Sequence, residues 1–303
     1  MIRVLVTDGM EKNAIKELKA KGFEVVEKFY EPEALGEQLK EFDVIVVRSA
    51  TKVRQPIIDK AAEAGRLKLI IRGGVGVDNI DVAYAREKGI KVTNTPNASS
   101  ASVAELALAH MFAVSRFINI SNVAMRQGKW DKKKYAGVEI NGKTLGLIGF
   151  GRISKELAKR ASALGMKVIY TDIIGKAKGF DEYEFCELND VLKRSDYVSL
   201  HIPFIKAQGA TIGKDQLDMM KDSAFLINCA RGGVVDETAL VEALDNGKLA
   251  GAGVDVFVEE PTKNEALVNH PKVSVTPHIG AATAEAQTRI GAEITSIIFD
   301  FFK

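Results

Sequence analysis

The chain has 303 residues, enough for roughly two domains and a large core, and its 46% hydrophobic and 27% charged residues are those of an ordinary soluble globular protein. A net charge of +2 with no basic tract interleaved with aromatics argues against nucleic acid, and two distant cysteines, Cys186 and Cys229, argue against a disulfide framework and fit a reducing compartment. The longest apolar region, 103–118, is broken by Glu105, His110 and Arg116, and strand-like residues 2–7 open the chain with no room for a leader, so the expectation is a cytoplasmic protein without a membrane span.

Residues 2–93 read as repeated strand–helix units. Apolar runs at 4–6, 23–26, 44–47, 69–71 and 90–92 alternate with charged helical stretches such as 11–19 and 83–88, which predicts a parallel sheet covered by helices. The first unit has a turn glycine, Gly9, but no second one for phosphate approach, so it reads as architecture without nucleotide. Thr95-Pro96-Asn97 marks a boundary, because the residue before a proline is pushed out of the helical region. Ser100 or Ser102 can then cap a long helix running to about Gln127, with Gly128 after it. Small and apolar residues surround much of this helix, so its own domain or a partner subunit must bury it on several sides.

Residues 144–172 carry the strongest local pattern. An apolar run ends at Gly149 and Gly151, and a helix follows with Ile153, Leu157, Ala161 and Leu164 on one face. Gly165 stops it, and a second apolar run leads to Asp172. Strand, glycine turn, helix, strand and terminal acid is the order of a dinucleotide-binding unit. Gly149 allows the tight turn, Gly151 lets backbone approach a pyrophosphate at the helix N-terminus, and Asp172 can accept hydrogen bonds from a ribose. The third glycine of that pattern is replaced by Ser154, whose side chain strains the helix–strand fit without ruling it out.

Beyond Asp172, strands are expected at 197–202, 224–229, 249–254 and 273–275, each followed by polar residues. In open α/β sheets that carboxyl edge is where ligands bind. Residues 283–303 read as a helix returning to cover the first domain. Arg231 precedes two glycines and can hold a carboxylate through paired hydrogen bonds; an arginine viewed alone is more often a surface or loop-bracing residue. His278 follows Pro277, with Glu259 and Glu260 before Pro261. A carboxylate beside an imidazole makes a proton carrier suited to neutral pH, although each residue alone also fits a structural role. His110 lies in the buried helix, His270 in a loop, and His201 beside the cofactor edge. No group has the spacing of a metal site, and no nucleophile motif appears. Dinucleotide, arginine anchor and His–carboxylate pair together specify hydride transfer on a 2-hydroxy acid.

The strings NCARGGVVDE, DVFVEEP and TPHIGAAT, with RGGVGVDNID, NTPNASSASVAEL, VVRSATKV and GKWDKKKYAGVEINGKTLG, resemble the D-isomer-specific 2-hydroxyacid dehydrogenases from about residue 2 to the end. The resemblance implies an α/β fold of two doubly wound parallel-sheet domains: a Rossmann-like NAD-binding domain, 98–280, inserted into a flavodoxin-like substrate domain made of 1–97 and 281–303. It implies NAD as cofactor, a small-molecule substrate, and a homodimer through the NAD-binding domains. By position, the substrate anchor matches Arg231, the orienting carboxylate Glu260 and the proton carrier His278. Cofactor-side positions match Gly149, Gly151, Arg152, Ile153, Asp172, His201, Pro203, Cys229, Ala230, Asp255 and Gly280. Substrate-side positions match Arg48, Ser49, Arg72, Gly74 and Val75 in the first domain, joined by Lys132 from a partner chain.

Within the family, RGGVGVDNID, NTPNASSASVAEL, VVRSATKV and GKWDKKKYAGVEINGKTLG resemble the subgroup oxidising D-3-phosphoglycerate to 3-phosphohydroxypyruvate, the entry to serine synthesis, and the resemblance implies that Arg48 and Arg72 are the positive groups facing the phosphate. Other acids (glycerate or hydroxypyruvate, glyoxylate, D-lactate) and a non-catalytic NAD(H)-sensing scaffold like the corepressors on this fold stay open. Formate dehydrogenases usually replace the glutamate with glutamine. The segment HIPFIKAQGATIG lacks the threonines many relatives show. The chain ends 25 residues past His278, so regulatory domains and serine feedback are not expected.

Overall fold

Short β-branched runs, buried on both faces, alternate with amphipathic helices through the whole chain. The computed structural model describes residues 1–303, which divide into two compact units, Met1–Ser99 with Ala281–Lys303, and Ser100–Gly280.

The first unit begins β1 (Arg3–Val6), α1 (Lys12–Ala20), β2 (Glu24–Glu27), α2 (Pro32–Gln38), β3 (Val44–Val47), α3 (Gln55–Glu63), β4 (Leu69–Arg72), α4 (Val82–Glu87) and β5 (Lys91–Asn94). Its five strands pair in parallel in the order β2-β1-β3-β4-β5, the flavodoxin-like arrangement.

The second unit opens with α5 (Ser100–Ser115) and α6 (Ile118–Arg126). It continues through β6 (Thr144–Ile148), α7 (Arg152–Ala163), β7 (Lys167–Thr171), β8 (Glu184–Phe185), α8 (Leu188–Arg194), β9 (Tyr197–Leu200) and α9 (Lys214–Met219). It closes with β10 (Phe225–Asn228), α10 (Glu237–Asp245), β11 (Gly251–Val254), α11 (Glu265–Val268) and β12 (Val273–Val275). Seven parallel strands lie in the order β12-β11-β10-β9-β6-β7-β8, which is the Rossmann order with one strand added at an edge. The chain leaves β6 toward β7 and later returns to β9 on the other side, so the topological switch point lies between β6 and β9.

The chain then returns to the first unit as α12 (Ala284–Phe301), capped by Thr283, whose hydroxyl accepts the Ala286 amide at 3.1 Å. Strand alternation gives that unit two cores. Leu5, Ile45 and Ile70 meet Leu35, Leu39 and Ile58, while Val4, Val46 and Ile71 meet Leu18, Ile290 and Ile294.

Two expectations need correction. The helix read to about Gln127 is two helices, and Ser100 and Ser102 lie inside the first rather than before it. At the break the Ser115 hydroxyl bonds back to the Met111 carbonyl, and the Ser115 carbonyl is taken by the Val138 amide at 3.0 Å. Phe117 then turns left-handed, φ 55°, and α6 leaves at 65°. These are tertiary causes, with no proline or glycine to announce them. The buried face of α7 is Ser154, Leu157, Ala158 and Ala161; Leu164 falls just past the last turn and is exposed. No single helix is long and apolar enough to cross a membrane; only α5 and α6 together, bent as they are, reach that length and composition.

Candidate active site

All strands of a parallel sheet end on the same edge, so the second unit brings Gly149, Asp172, His201, Cys229–Arg231 (229–231), Asp255 and His278 to one side by topology alone. Gly149 has φ 86°, and a β-carbon there would lie 2.6 Å from the His201 carbonyl oxygen, so only glycine fits. Gly151 is the N-cap of the twelve-residue α7; no side chain caps it, and the space beside its missing β-carbon is open. The first-turn amides, with Arg152 and Ile153 in that turn, are therefore left to an outside acceptor, which is what a pyrophosphate requires. Asp172 sits across the loop, its Oδ2 accepting the Phe150 amide at 2.6 Å and its Oδ1 the Ile174 amide at 3.0 Å. The donor set fits a dinucleotide.

Ser154 does not strain this loop. It is fully buried, and its hydroxyl donates to the Gly149 carbonyl at 2.5 Å, tying α7 to the turn. His201 Nε2 lies 3.0 Å from the Ser199 hydroxyl. The residue is half-buried, and the desolvation of its ring pushes its pKa down to about 3. Pro203 is exposed beyond it, while Cys229 and Ala230 are buried beneath the edge, and burial raises the Cys229 thiol well above its ordinary value.

Arg231 follows β10, half-buried, with Nη1 donating to the Ala230 carbonyl at 2.5 Å. The next residue, Gly232, has no room for a β-carbon: it would lie 1.7 Å from the Phe257 carbonyl oxygen. The arginine loop therefore runs directly against the segment carrying Glu260. There the Phe257 amide donates to Glu260 Oε1 at 3.1 Å, and Glu260 Oε2 lies 2.7 Å from His278 Nδ1. Burial alone would raise the Glu260 pKa, but the His278 hydrogen bond and charge, the Phe257 amide and the Arg231 charge outweigh it and leave it lowered. An ionised carboxylate only accepts, so His278 carries its proton on Nδ1 and presents the Nε2 lone pair.

His278 itself has φ 54°, uncommon for a side-chain-bearing residue. Asp255 holds it there. The Asp255 carbonyl accepts the His278 amide at 2.8 Å, and its carboxylate, 1% exposed, accepts the Thr276 hydroxyl at 2.6 Å, the Ile279 amide at 2.8 Å and the Gly280 amide at 2.9 Å. The resemblance puts Asp255 among the cofactor-side positions, and in the structure its carboxylate braces the histidine loop. Thr276 was missed, as was Glu237, which accepts from the Val258 amide at 2.7 Å and Asn264 Nδ2 at 2.8 Å and so braces the Glu260 loop. Neither has a spacing that marks it.

In the first unit, Arg72 ends β4 and Arg48 follows β3; Val47 and Arg72 are register partners, so the two arginines leave neighbouring strand ends. The Arg72 guanidinium folds over Gly74, and Asn94 Nδ2 donates to the Val75 carbonyl. Arg48 and the exposed Ser49 stand on a clamped loop: Asp8 accepts the Arg48 amide at 2.7 Å and the Thr51 hydroxyl at 2.5 Å, and Asn79 Nδ2 bridges the Arg48 and Thr51 carbonyls at 2.7 Å each. Asp8 and Asn79 were not foreseen. Lys132 belongs to neither strand edge; it is exposed in the 3₁₀ turn Lys132–Lys134.

Residues 108–280 match the model described as D-isomer specific 2-hydroxyacid dehydrogenase, NAD binding domain. A hydroxypyruvate reductase from Thermotoga maritima is 47% identical over 302 residues, covering 98% of this chain and 97% of that protein. A D-3-phosphoglycerate dehydrogenase from Methanocaldococcus jannaschii is 45% identical over 301 residues, 98% of this chain. The chain spans 57% of that relative's length. Among solved structures, a D-lactate dehydrogenase from Aquifex aeolicus, complexed with NAD and lactic acid, superposes with a TM-score of 0.88 at 30% identity, over 99% of this chain and 95% of that one.

Proposed function

The chain belongs to the D-isomer-specific 2-hydroxyacid dehydrogenase family, with that family's NAD-binding domain, and from that premise we propose that it oxidises D-3-phosphoglycerate to 3-phosphohydroxypyruvate with NAD. One observation carries the reading: the 2.7 Å contact between His278 and Glu260 on the edge that also bears the glycine loop, with Arg231 close enough to bias Glu260. Arg231 anchors the substrate carboxylate through its planar fork. His278 Nε2 takes the hydroxyl proton as the C2 hydrogen leaves with its electron pair, and Glu260 stabilises the imidazolium that results. The nicotinamide supplies the hydride acceptor. In the opposite direction protonated His278 donates to the keto oxygen.

Arg48 and Arg72, on neighbouring strand ends of the first unit, favour a phosphorylated acid, since an uncharged tail gives two guanidinium groups nothing to neutralise. The reaction so assigned opens serine synthesis. A second reading, reduction of hydroxypyruvate, is favoured by the Thermotoga relative, whose length this chain matches almost throughout. The test is a panel of 2-hydroxy acids with and without phosphate, followed by NADH absorbance. The assignment requires 3-phosphoglycerate to exceed D-glycerate by at least about 10-fold in kcat/KM, the worth of one charge-assisted hydrogen bond. Equal rates give the site to the unphosphorylated acid.

We further propose a homodimer through the second unit. Ile118, Val123 and Met125 of α6 are about half exposed beside a groove of about 1220 Å³ lined by α5, α6 and β12 residues. Light scattering on the intact chain reads the mass directly, and a monomer at micromolar concentration removes this assignment.

A further inference from the structure

His110 lies in α5, is 2% exposed, and belongs to no part of the chemistry described so far. Its side chain packs on β11 at Gly253, where an added β-carbon would come within 2.6 Å of His110 Cβ. The ring bridges two hydroxyls two residues apart, one in β12 and one just past its end: Nδ1 is 2.8 Å from Ser274 Oγ and Nε2 is 3.0 Å from Thr276 Oγ1. Ser274 Oγ in turn takes a hydrogen bond from Asn119 Nδ2 at 2.7 Å, and Thr276 Oγ1 gives one to Asp255 Oδ1 at 2.6 Å.

These contacts admit one direction. Asp255 accepts two backbone amides, one on each oxygen, so the single Thr276 proton points to it and the Thr276 oxygen must accept from His110 Nε2–H. A neutral imidazole has one N–H, so Nδ1 accepts, and the Ser274 proton points to it. Ser274 is then free to accept from Asn119. The chain Asn119, Ser274, His110, Thr276, Asp255 thus has every donor matched to an acceptor. Burial, which lowers the His110 pKa against the opposing pull of Asp255, keeps the ring in the neutral form this order needs.

We propose that His110 is a positioning residue for His278: by accepting from Ser274 and donating to Thr276 it aims the Thr276 hydroxyl at Asp255, whose carboxylate pins the left-handed turn that carries the imidazole. The inference rests on His278 being the proton carrier. With Thr276 aimed elsewhere, Asp255 Oδ1 is released from one of its two partners and the turn at φ 54° loses part of what holds it. A small displacement of Nε2 lowers turnover more than it lowers binding.

Three measurements test this. Long-range ¹⁵N–¹H correlation in the histidine-labelled chain should find the His110 proton on Nε2; a proton on Nδ1 reverses the chain of donors and overturns the proposal. Thr276→Val, the same shape without the hydroxyl, should lower kcat about 10-fold or more while the Kd for NADH, read by fluorescence, stays within about twofold. Thr276→Ser should restore kcat, and His110→Phe should reproduce the loss at an unchanged NADH Kd. Wild-type kcat in Thr276→Val beside an inactive His278→Ala refutes the positioning role and leaves the proposed function standing. An active His278→Ala removes both.

Discussion

Glu260 Oε2 and His278 Nδ1 meet at 2.7 Å from two separate loops, one held by Glu237 and Gly232 and the other by Asp255. Neither residue is placed by its own secondary structure. The pair therefore depends on the loops being fixed from outside, and its chemistry depends on which nitrogen carries the proton.

Removing either member separates those two effects. His278→Ala should lower kcat by about 10²–10⁴, the usual worth of a general acid–base group. Glu260→Gln keeps the shape but lets an amide face Nδ1, so the tautomer is no longer fixed and a loss of about 10²-fold or more is expected. Because Glu260 is held ionised below its ordinary range, the wild-type rate should keep its Glu260 contribution down to pH 4.5. Steady-state NADH formation measures all three, and a turnover for Glu260→Gln equal to wild type would detach the carboxylate from the mechanism.

Arg231→Lys tests the anchor. Lysine retains the charge but not the planar fork, and one lost charge-assisted hydrogen bond of about 1.5–3 kcal/mol corresponds to roughly 10- to 150-fold in kcat/KM. The same variant should leave NADH affinity nearly unchanged. An unaltered kcat/KM means that no paired contact to the substrate carboxylate exists.

Asp172→Ala should have two consequences with different readouts. The preference for NAD over NADP should relax, because the acid no longer repels a 2′-phosphate. Stability should fall by about 1–3 kcal/mol, because the Phe150 and Ile174 amides lose their acceptor. Asp172→Asn should relax the cofactor preference with the smaller stability loss. A wild type that already uses both cofactors equally contradicts the ribose assignment.

Both parallel sheets and the glycine loop were legible in the residues, because strand–helix alternation and left-handed glycines are local properties. Arg231, His278 and the pair Glu259 and Glu260 stood out from the residues, and the resemblance chose Glu260 between the two glutamates; the structure adds what keeps them in place. Thr276, Glu237, Asp8 and Asn79 were invisible, since each acts through a partner 20 or more residues away and leaves no spacing to read. Ser154, read as straining the fit without ruling it out, was legible only in part for a related reason. A pattern that asks for glycine counts serine as an intrusion, whereas the Gly149 carbonyl gives its hydroxyl a partner. The break between α5 and α6 was equally hidden, because the Val138 amide that takes the Ser115 carbonyl comes from beyond α6.

His201 makes stability depend on pH. Its folded pKa is pushed down to about 3 from the ordinary 6.5 by burial, so below pH 6.5 the unfolded chain takes a proton that the folded chain refuses. The stabilisation is complete above pH 6.5 and is lost as the pH falls from there toward about 3. At pH 5 a single such group costs at most about 2 kcal/mol. His110, also lowered by burial, acts in the same direction, while Glu260 adds its own loss only below its ordinary 4.5. Urea unfolding between pH 7 and pH 5 therefore isolates the two histidines. His201→Gln should flatten the decline, with the remainder due to His110. A decline as steep as that of the wild type would show that the folded chain accepts the proton on His201 after all.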